Sequence, residues 1–406
     1  MGSFLCPIKE GSNQPALITL EELLTYQELN KRVEEFQGKL RSLQVTKLGL
    51  YCLMEKDLIP FLFAAFRENI SLFIANPKLP FSFVEKKGKE LGITLFLSNL
   101  DQINNLPTLT PTRMHIEEEQ PLYLLTSGST GEPKIATLRL GGFYYSAIGS
   151  IPTLNLNEGD IWQLSLPIYH VSGIALLFRT FIAKAAISLS PKDVTHLSYV
   201  PTQLYRLLQN PEAMNKIKCI LLGGAPIPPH LYLEGKKRGL PLFLTYGLTE
   251  MSSSVLITSN PFLENGVFYL GEPLPFREMK LEDGEIFVRG KTLFAHPGWY
   301  ATKDLGTYKP DHGFAILGRK DRMFISGGEN IQPEEIERAL LENTNVQEVF
   351  VLPANDPEYG QVPIAYIKTS LSIPQLKSYL LEKLPTFKIP RQFLPISENI
   401  FGKKIL

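Results

Sequence analysis

The sequence predicts an α/β protein with an α+β C-terminal part. A large N-terminal domain of mixed, mostly parallel sheets with helices carries a small β-rich subdomain, and a small C-terminal αβ domain follows. Three observations carry this. Short apolar runs alternate with segments of helical periodicity from Thr25 to Phe243, the pattern of βαβ units. From Val267 to Phe314 the runs shorten and Gly and Pro punctuate them, as in a β-rich unit. Past Gly318-Arg319-Lys320-Asp321 the chain turns into an αβ segment of roughly 85 residues, within the range of a small domain.

Each element has a local reason. Thr25 stands three residues before Glu28, a capping box, and Tyr26, Leu29, Val33, Phe36 and Leu40 follow at helical spacing. Leu48 to Met54 reads as a strand, Leu58 to Glu68 as a buried helix, and Leu72 to Ala75 as a strand that ends at Asn76-Pro77. A helix closing near Gly92 leads to a strand over Ile93 to Ser98. After the Pro- and Thr-rich stretch Leu106 to Arg113 the alternation resumes. Lys218 to Leu222 and Leu242 to Thr245 read as buried strands, and ligands of open α/β sheets sit beyond the carboxyl ends of such strands. In the last segment Pro333 to Leu341 reads as a helix with Pro in its first turn. Val346 to Leu352 and Pro363 to Lys368 read as strands, and Ile373 to Leu384 as a helix.

Composition narrows the function. Apolar residues make up 44% and charged residues 20%, a globular balance. Lys plus Arg equals Asp plus Glu at 41 each, which argues against a nucleic-acid binder working by phosphate neutralisation. Cys6, Cys52 and Cys219 are scattered without a CxxC pair. A disulfide framework and a zinc site are not expected, and a reducing cytoplasm fits. No basic start leads into an apolar run, and no run of about 18 apolar residues occurs, so neither a signal peptide nor a membrane span is expected. A cytoplasmic protein without stable membrane association follows, with a homodimer left open.

The chemistry is densest at Leu124-Leu125-Thr126-Ser127-Gly128-Ser129-Thr130-Gly131-Glu132-Pro133-Lys134. Glycines let backbone N–H groups turn onto an anion, hydroxyls add donors, and a lysine adds a point charge. Those are the requirements of a polyphosphate cradle. It is not a Walker A loop, because no Gly-Lys-Ser/Thr follows at the required spacing.

Thr126 to Lys134 matches the Thr-Ser-Gly-Ser/Thr-Thr-Gly-x-Pro-Lys motif. In this the chain resembles the adenylate-forming superfamily of acyl-CoA synthetases, luciferases and peptide-synthetase adenylation domains. The resemblance continues in order. Tyr246-Gly247-Leu248-Thr249-Glu250 is similar to the second signature; it implies adenine beside Tyr246, Thr249 on phosphate and Mg²⁺ on Glu250, a hard cation on a carboxylate oxygen. Gly298 to Gly306 is similar to the third, with Asp304 as acceptor of the ribose hydroxyls, although Lys303 stands where the family usually has Gly. Gly318 to Arg322 and Ser326-Gly327-Gly328-Glu329-Asn330 resemble the fourth, with Arg319 on the nucleotide and Asp321 at a hinge. Gly402-Lys403-Lys404-Ile405 resembles the last, whose lysine enters the site during adenylation. Lys403 has the preceding Gly and Lys404 the following Ile, so both stand as candidates.

The resemblance implies an N-terminal adenylation domain over 1–318, a hinge at 319–321 and a mobile lid domain over 322–406. It implies ATP, Mg²⁺ and coenzyme A, with a small carboxylic acid activated as its acyl-adenylate. The implied nucleotide contacts are Thr126, Ser127, Gly128, Ser129, Thr130, Gly131, Lys134, Gly224, Tyr246, Gly247, Asp304 and Arg319. The implied catalytic groups are Thr249, Glu250, Lys403 and Lys404.

Four strings are similar to the o-succinylbenzoate-activating branch of menaquinone synthesis: Ser165 to Gly173, Thr195 to Leu204, Leu221 to Pro228, and Ser326 to Glu335. They point to His170, His196, Gly223 and Gly224 as acid-binding residues, with Arg179 beside His196 for a second substrate carboxylate. Glycines there would let an aromatic ring lie against backbone. A ligase for another aromatic or short-chain acid, an enzyme loading a carrier protein, and a nucleotide binder without catalysis are the alternatives.

Overall fold

Helix α1 (Tyr26–Ser42) begins at its capping box: Thr25 Oγ1 accepts from Glu28 N at 3.2 Å, and the Glu28 carboxylate accepts from Thr25 N at 2.8 Å. Its apolar stripe, Tyr26, Leu29, Val33 and Leu40, is buried. Helix α2 (Leu58–Arg67) is buried on every side, as its unbroken apolar run requires. At its end Arg67 is fully enclosed, and its guanidinium donates to Asn30 Oδ1 at 2.7 Å and to the Ile8 carbonyl, because a buried charge must be hydrogen-bonded. The computed structural model describes residues 2–8, 12–51, 57–111, 114–126, 133–209, 216–294 and 298–396.

A five-stranded sheet runs in the order Phe96–Leu97, Lys47–Leu50, Ser71–Ile74, Pro121–Thr126, Lys134–Arg139. Its first four strands are parallel, and the last pair is an antiparallel hairpin with Thr126 opposite Lys134. Helix α3 (Phe81–Glu90) stops just before Gly92, whose φ of +74° ends the turn.

An eight-stranded sheet has the order Ser253–Thr258, Leu242–Leu248, Cys219–Leu222, His196–Tyr199, Ile161–Gln163, Ala186–Ser188, Pro15–Ile18, Leu23–Thr25. The inner strands are parallel and both outer pairs antiparallel, so the mixed, mostly parallel expectation holds. Alternate residues of its strands serve two cores. Cys219 and Leu221 join α1, α2, α4 (Leu140–Leu154) and α5 (Val171–Ile182). Ile220 and Leu222 join α6 (Pro201–Gln209) and α7 (Pro229–Lys237). In the first core Phe63 packs on Phe178 and Phe181 at 5.7 and 5.4 Å, and each buried ring contributes about 1.5–3 kcal/mol.

The Gly- and Pro-rich stretch forms a six-stranded antiparallel sheet between Phe262 and Arg319. One short turn, Lys320–Arg322, leads out of it. Beyond lie a two-stranded ribbon, α8 (Pro333–Leu341), a three-stranded sheet and α9 (Ile373–Leu381). Their core, including Ile336, Leu340, Val351, Leu376 and Phe393, contains no residue before Phe324. This is the smaller C-terminal domain. Helix α9 stops at Leu381, three residues short of the sequence reading, and the strand from Val346 runs on to Asp356 because it pairs along its length with Gly360–Thr369.

Candidate active site

The carboxyl ends of the central parallel strands meet in one place. Gly223 N donates to the Tyr199 carbonyl at 3.2 Å. A Cβ on Gly223 would fall 2.5 Å from Thr245 Cγ2, so this glycine lets the neighbouring strand close in. Gly224 is exposed at φ +79°, a left-handed conformation that favours glycine.

Tyr246 lies on the next strand, and its hydroxyl donates to Asp304 Oδ2 at 2.5 Å. Asp304 comes from the six-stranded sheet and is 7% exposed. Its other oxygen accepts from Arg319 Nη1 at 3.0 Å, the residue opposite it across the strand pair. Arg319 also forks onto Asp321, with Nε to Oδ1 at 3.1 Å and Nη2 to Oδ2 at 2.9 Å. Burial pushes the Asp304 carboxyl above its ordinary value, while Tyr246 and Arg319 pull against that rise. Arg319 holds Asp321 below the ordinary carboxylate value. Burial works against the Arg319 charge, yet Asp321 and Asp304 together hold it firmly protonated.

Thr249 and Glu250 occupy the short turn after Tyr246-Gly247-Leu248. The Glu250 carbonyl is pinned by Phe294 N at 2.7 Å, and its carboxylate receives a long contact, 3.5 Å, from the Tyr300 hydroxyl. The strand Lys134–Arg139 packs against this turn. Thus the strand after the glycine- and hydroxyl-rich loop and the second signature are neighbours. Thr126 Oγ1 donates to the Lys134 carbonyl at 3.3 Å, and Lys134 is exposed. Ser127, Gly128, Ser129, Thr130 and Gly131 lie outside the described residues, as do Lys403 and Lys404. Among the described residues no cluster of three His, Cys, Asp or Glu could hold a metal ion. A carboxylate held this loosely suits Mg²⁺ that arrives already bound to phosphate oxygens and water.

His170 is exposed at the start of α5, with its ring 4.7 Å from Tyr169. His196 corrects the sequence reading. It opens its strand at the amino end and is fully buried. Its Nε2 lies 3.2 Å from the Leu154 carbonyl, Nδ1 lies 2.8 Å from Thr195 Oγ1, and its ring lies 5.1 Å from Trp162. A ring with both nitrogens satisfied inside the core has nothing to offer a substrate. Arg179 is also buried, donating from Nε to Ser150 Oγ at 3.0 Å and lying over Trp162. Burial pushes its pKa down to about 10, and it makes no ion pair among the described residues.

Sequence reasoning missed Tyr300 and Thr302. With Asp304 they alternate along one strand, a period of two that puts them on one face. The Thr302 carbonyl accepts from Arg319 Nη1 at 3.2 Å and its hydroxyl from Asp304 N at 3.0 Å. Lys303 between them has φ +62°, the conformation a glycine would take without strain.

Known proteins share this fold. The AMP-binding enzyme family matches residues 87–296, and the AMP-binding enzyme C-terminal domain matches residues 335–400. The 2-succinylbenzoate–CoA ligase of Escherichia coli (strain K12) is 35% identical over 356 residues, 80% of this chain and 77% of that one. The o-succinylbenzoate coenzyme A synthetase of Bacillus subtilis, in complex with ATP and magnesium ion, superposes with TM-score 0.85 at 27% identity, covering 97% of this chain and 96% of that one. A double mutant of the Bacillus subtilis enzyme, bound with its product analogue OSB-NCoA, gives 0.71 at 27% identity over 98% and 96%.

Proposed function

The chain belongs to the AMP-binding enzyme family, and from that premise we propose that it joins o-succinylbenzoate to coenzyme A at the expense of ATP. The observation that carries the reading is the meeting of Tyr246, Asp304 and Arg319 beside the Glu250 turn, with the strand that follows the phosphate loop packed against that turn.

The substrate carboxylate attacks the α-phosphorus of ATP, the bond to pyrophosphate breaks, and an acyl-adenylate forms. Negative charge spreads over phosphate oxygens, so the chain's task is positioning and charge stabilisation. Tyr246 presents its ring to adenine while its hydroxyl orients Asp304. Asp304 accepts the ribose hydroxyls. Thr249, Lys134 and the 126–134 loop serve as phosphate donors, and Glu250 would hold Mg²⁺, which would neutralise phosphate charge there. Lys403 or Lys404 reaches the carboxylate and α-phosphate oxygens. The small domain then turns about Asp321. In the second step the coenzyme A thiol loses its proton, its sulfur attacks the acyl carbon, and AMP leaves with the bonding pair.

With His196 enclosed in the core, Arg179 is the remaining candidate for the second carboxylate of the acid. A buried guanidinium without an ion partner among the described residues supports that role. His170 and Gly224, both open at the strand ends, would line the entrance. The test is ATP- and coenzyme A-dependent thioester formation from o-succinylbenzoate, read by mass spectrometry beside benzoate, cinnamate and short fatty acids. Equal turnover of all these acids, or AMP-free ATP binding alone, would refute the reading.

A further inference from the structure

The two domains touch at the hinge and also where α7 meets the end of α8, at a residue given no chemical role above. His230, the second residue of α7, puts Nδ1 2.8 Å from the carbonyl oxygen of Leu341, the last residue of α8. That oxygen is among the final carbonyls of a helix, which have no partner within it. A carbonyl can only accept, so Nδ1 carries the proton and His230 supplies the missing donor. Beside it, Gly266 (φ +72°) turns beneath Glu342: a Cβ there would lie 2.4 Å from Glu342 Oε1, while Lys383 Nζ holds Oε2 at 2.5 Å. One turn back along α8, Arg338 Nη1 donates to the Leu317 carbonyl at 3.2 Å. All three contacts grip the C-terminal half of α8.

That end of α8 lies some twenty residues past the Lys320–Arg322 turn, so a rotation there carries it away from α7. The contact belongs to the domain arrangement seen here, and a turn of the small domain would break it. The whole chain matches the ATP- and magnesium-bound relative more closely than the product-analogue complex. We infer that His230 is a positioning residue for the first half-reaction: its bond to Leu341 favours the arrangement in which the acyl-adenylate forms, and it breaks before the thiol attacks. This rests on the two-step reaction proposed above.

The test is a split of half-reactions in the full chain. In His230→Leu, pyrophosphate exchange into ATP should fall about three- to ten-fold, the worth of one net hydrogen bond. Thioester formation from pre-made acyl-adenylate and coenzyme A should hold or rise. His230→Asn should restore exchange, because its amide nitrogen reaches the position of Nδ1. Gly266→Asp, which sets a like charge against Glu342, should reproduce the split without touching His230. Normal exchange in His230→Leu, or an equal fall in both half-reactions, would overturn the inference. If the unaltered chain activates some other acid, the proposed function fails while the split remains measurable with that acid.

Discussion

Asp304→Asn isolates the charge of the ribose-accepting residue without changing its shape. In the native chain both carboxylate oxygens accept, one from Tyr246 at 2.5 Å and one from Arg319 at 3.0 Å, at a site only 7% exposed. The amide offers one acceptor and turns an NH₂ group toward a donor. Exchanging charged for neutral acceptors at two ribose hydroxyls costs about 1 kcal/mol each, and the facing donors add a similar amount. The sum, about 2–3 kcal/mol, corresponds to a rise of roughly 30- to 150-fold in KM for ATP. Pyrophosphate exchange at saturating acid, with ATP varied, measures it. Arg319 keeps its fork on Asp321 in the variant, so the fold should survive and a circular-dichroism melt will show that it does. A folded Asp304→Asn protein with unchanged KM for ATP would refute the ribose role.

The other predictions are briefer. Replacing Lys403 and Lys404 together by Ala should abolish pyrophosphate exchange yet spare thioester formation from pre-made acyl-adenylate; normal exchange would remove the lysine assignment. Arg179→Gln should raise KM for o-succinylbenzoate about ten-fold or more, the loss of a charged partner, while KM for ATP stays constant. Lys303→Gly removes left-handed strain of about 1 kcal/mol but adds freedom to the unfolded chain worth about 0.4–1 kcal/mol. Its melting point should move by less than about 2 °C, with exchange activity kept. Burial pushes His196 below its ordinary 6.5, so the folded chain keeps it neutral while the unfolded chain protonates below that value. Stability should then fall as pH drops under 6.5, by at most about 1.4 kcal/mol per unit. Urea melts at pH 7.5 and 5.5 should show a smaller loss for His196→Gln.

What was legible in the sequence depended on how local its cause is. The Thr25 capping box and the Pro333 helix start are set within four residues, and both elements begin where the residues say. The alternation of runs was enough for a mostly parallel sheet flanked by helices. His196 was misread because its environment is tertiary: Trp162 and Leu154 enclose it from other elements, and nothing within its own strand announces that. The bond from Tyr246 to Asp304 spans 58 residues, so the motifs could be named but not joined. Tyr300 and Thr302 were within reach, since a period of two counted back from Asp304 finds them. His230 after Pro228-Pro229 reads as an ordinary exposed helix start, and only the folded partner reveals its bond.

The separate core behind Phe324 has a thermodynamic consequence. A domain with its own apolar interior, tied to its neighbour among the described residues by one turn and a few polar contacts, need not melt with that neighbour. Calorimetry of the free chain should resolve two endotherms, the smaller belonging to residues 322–396. A ligand gripped by both domains would draw the two peaks together, because it stabilises only the state in which both are intact.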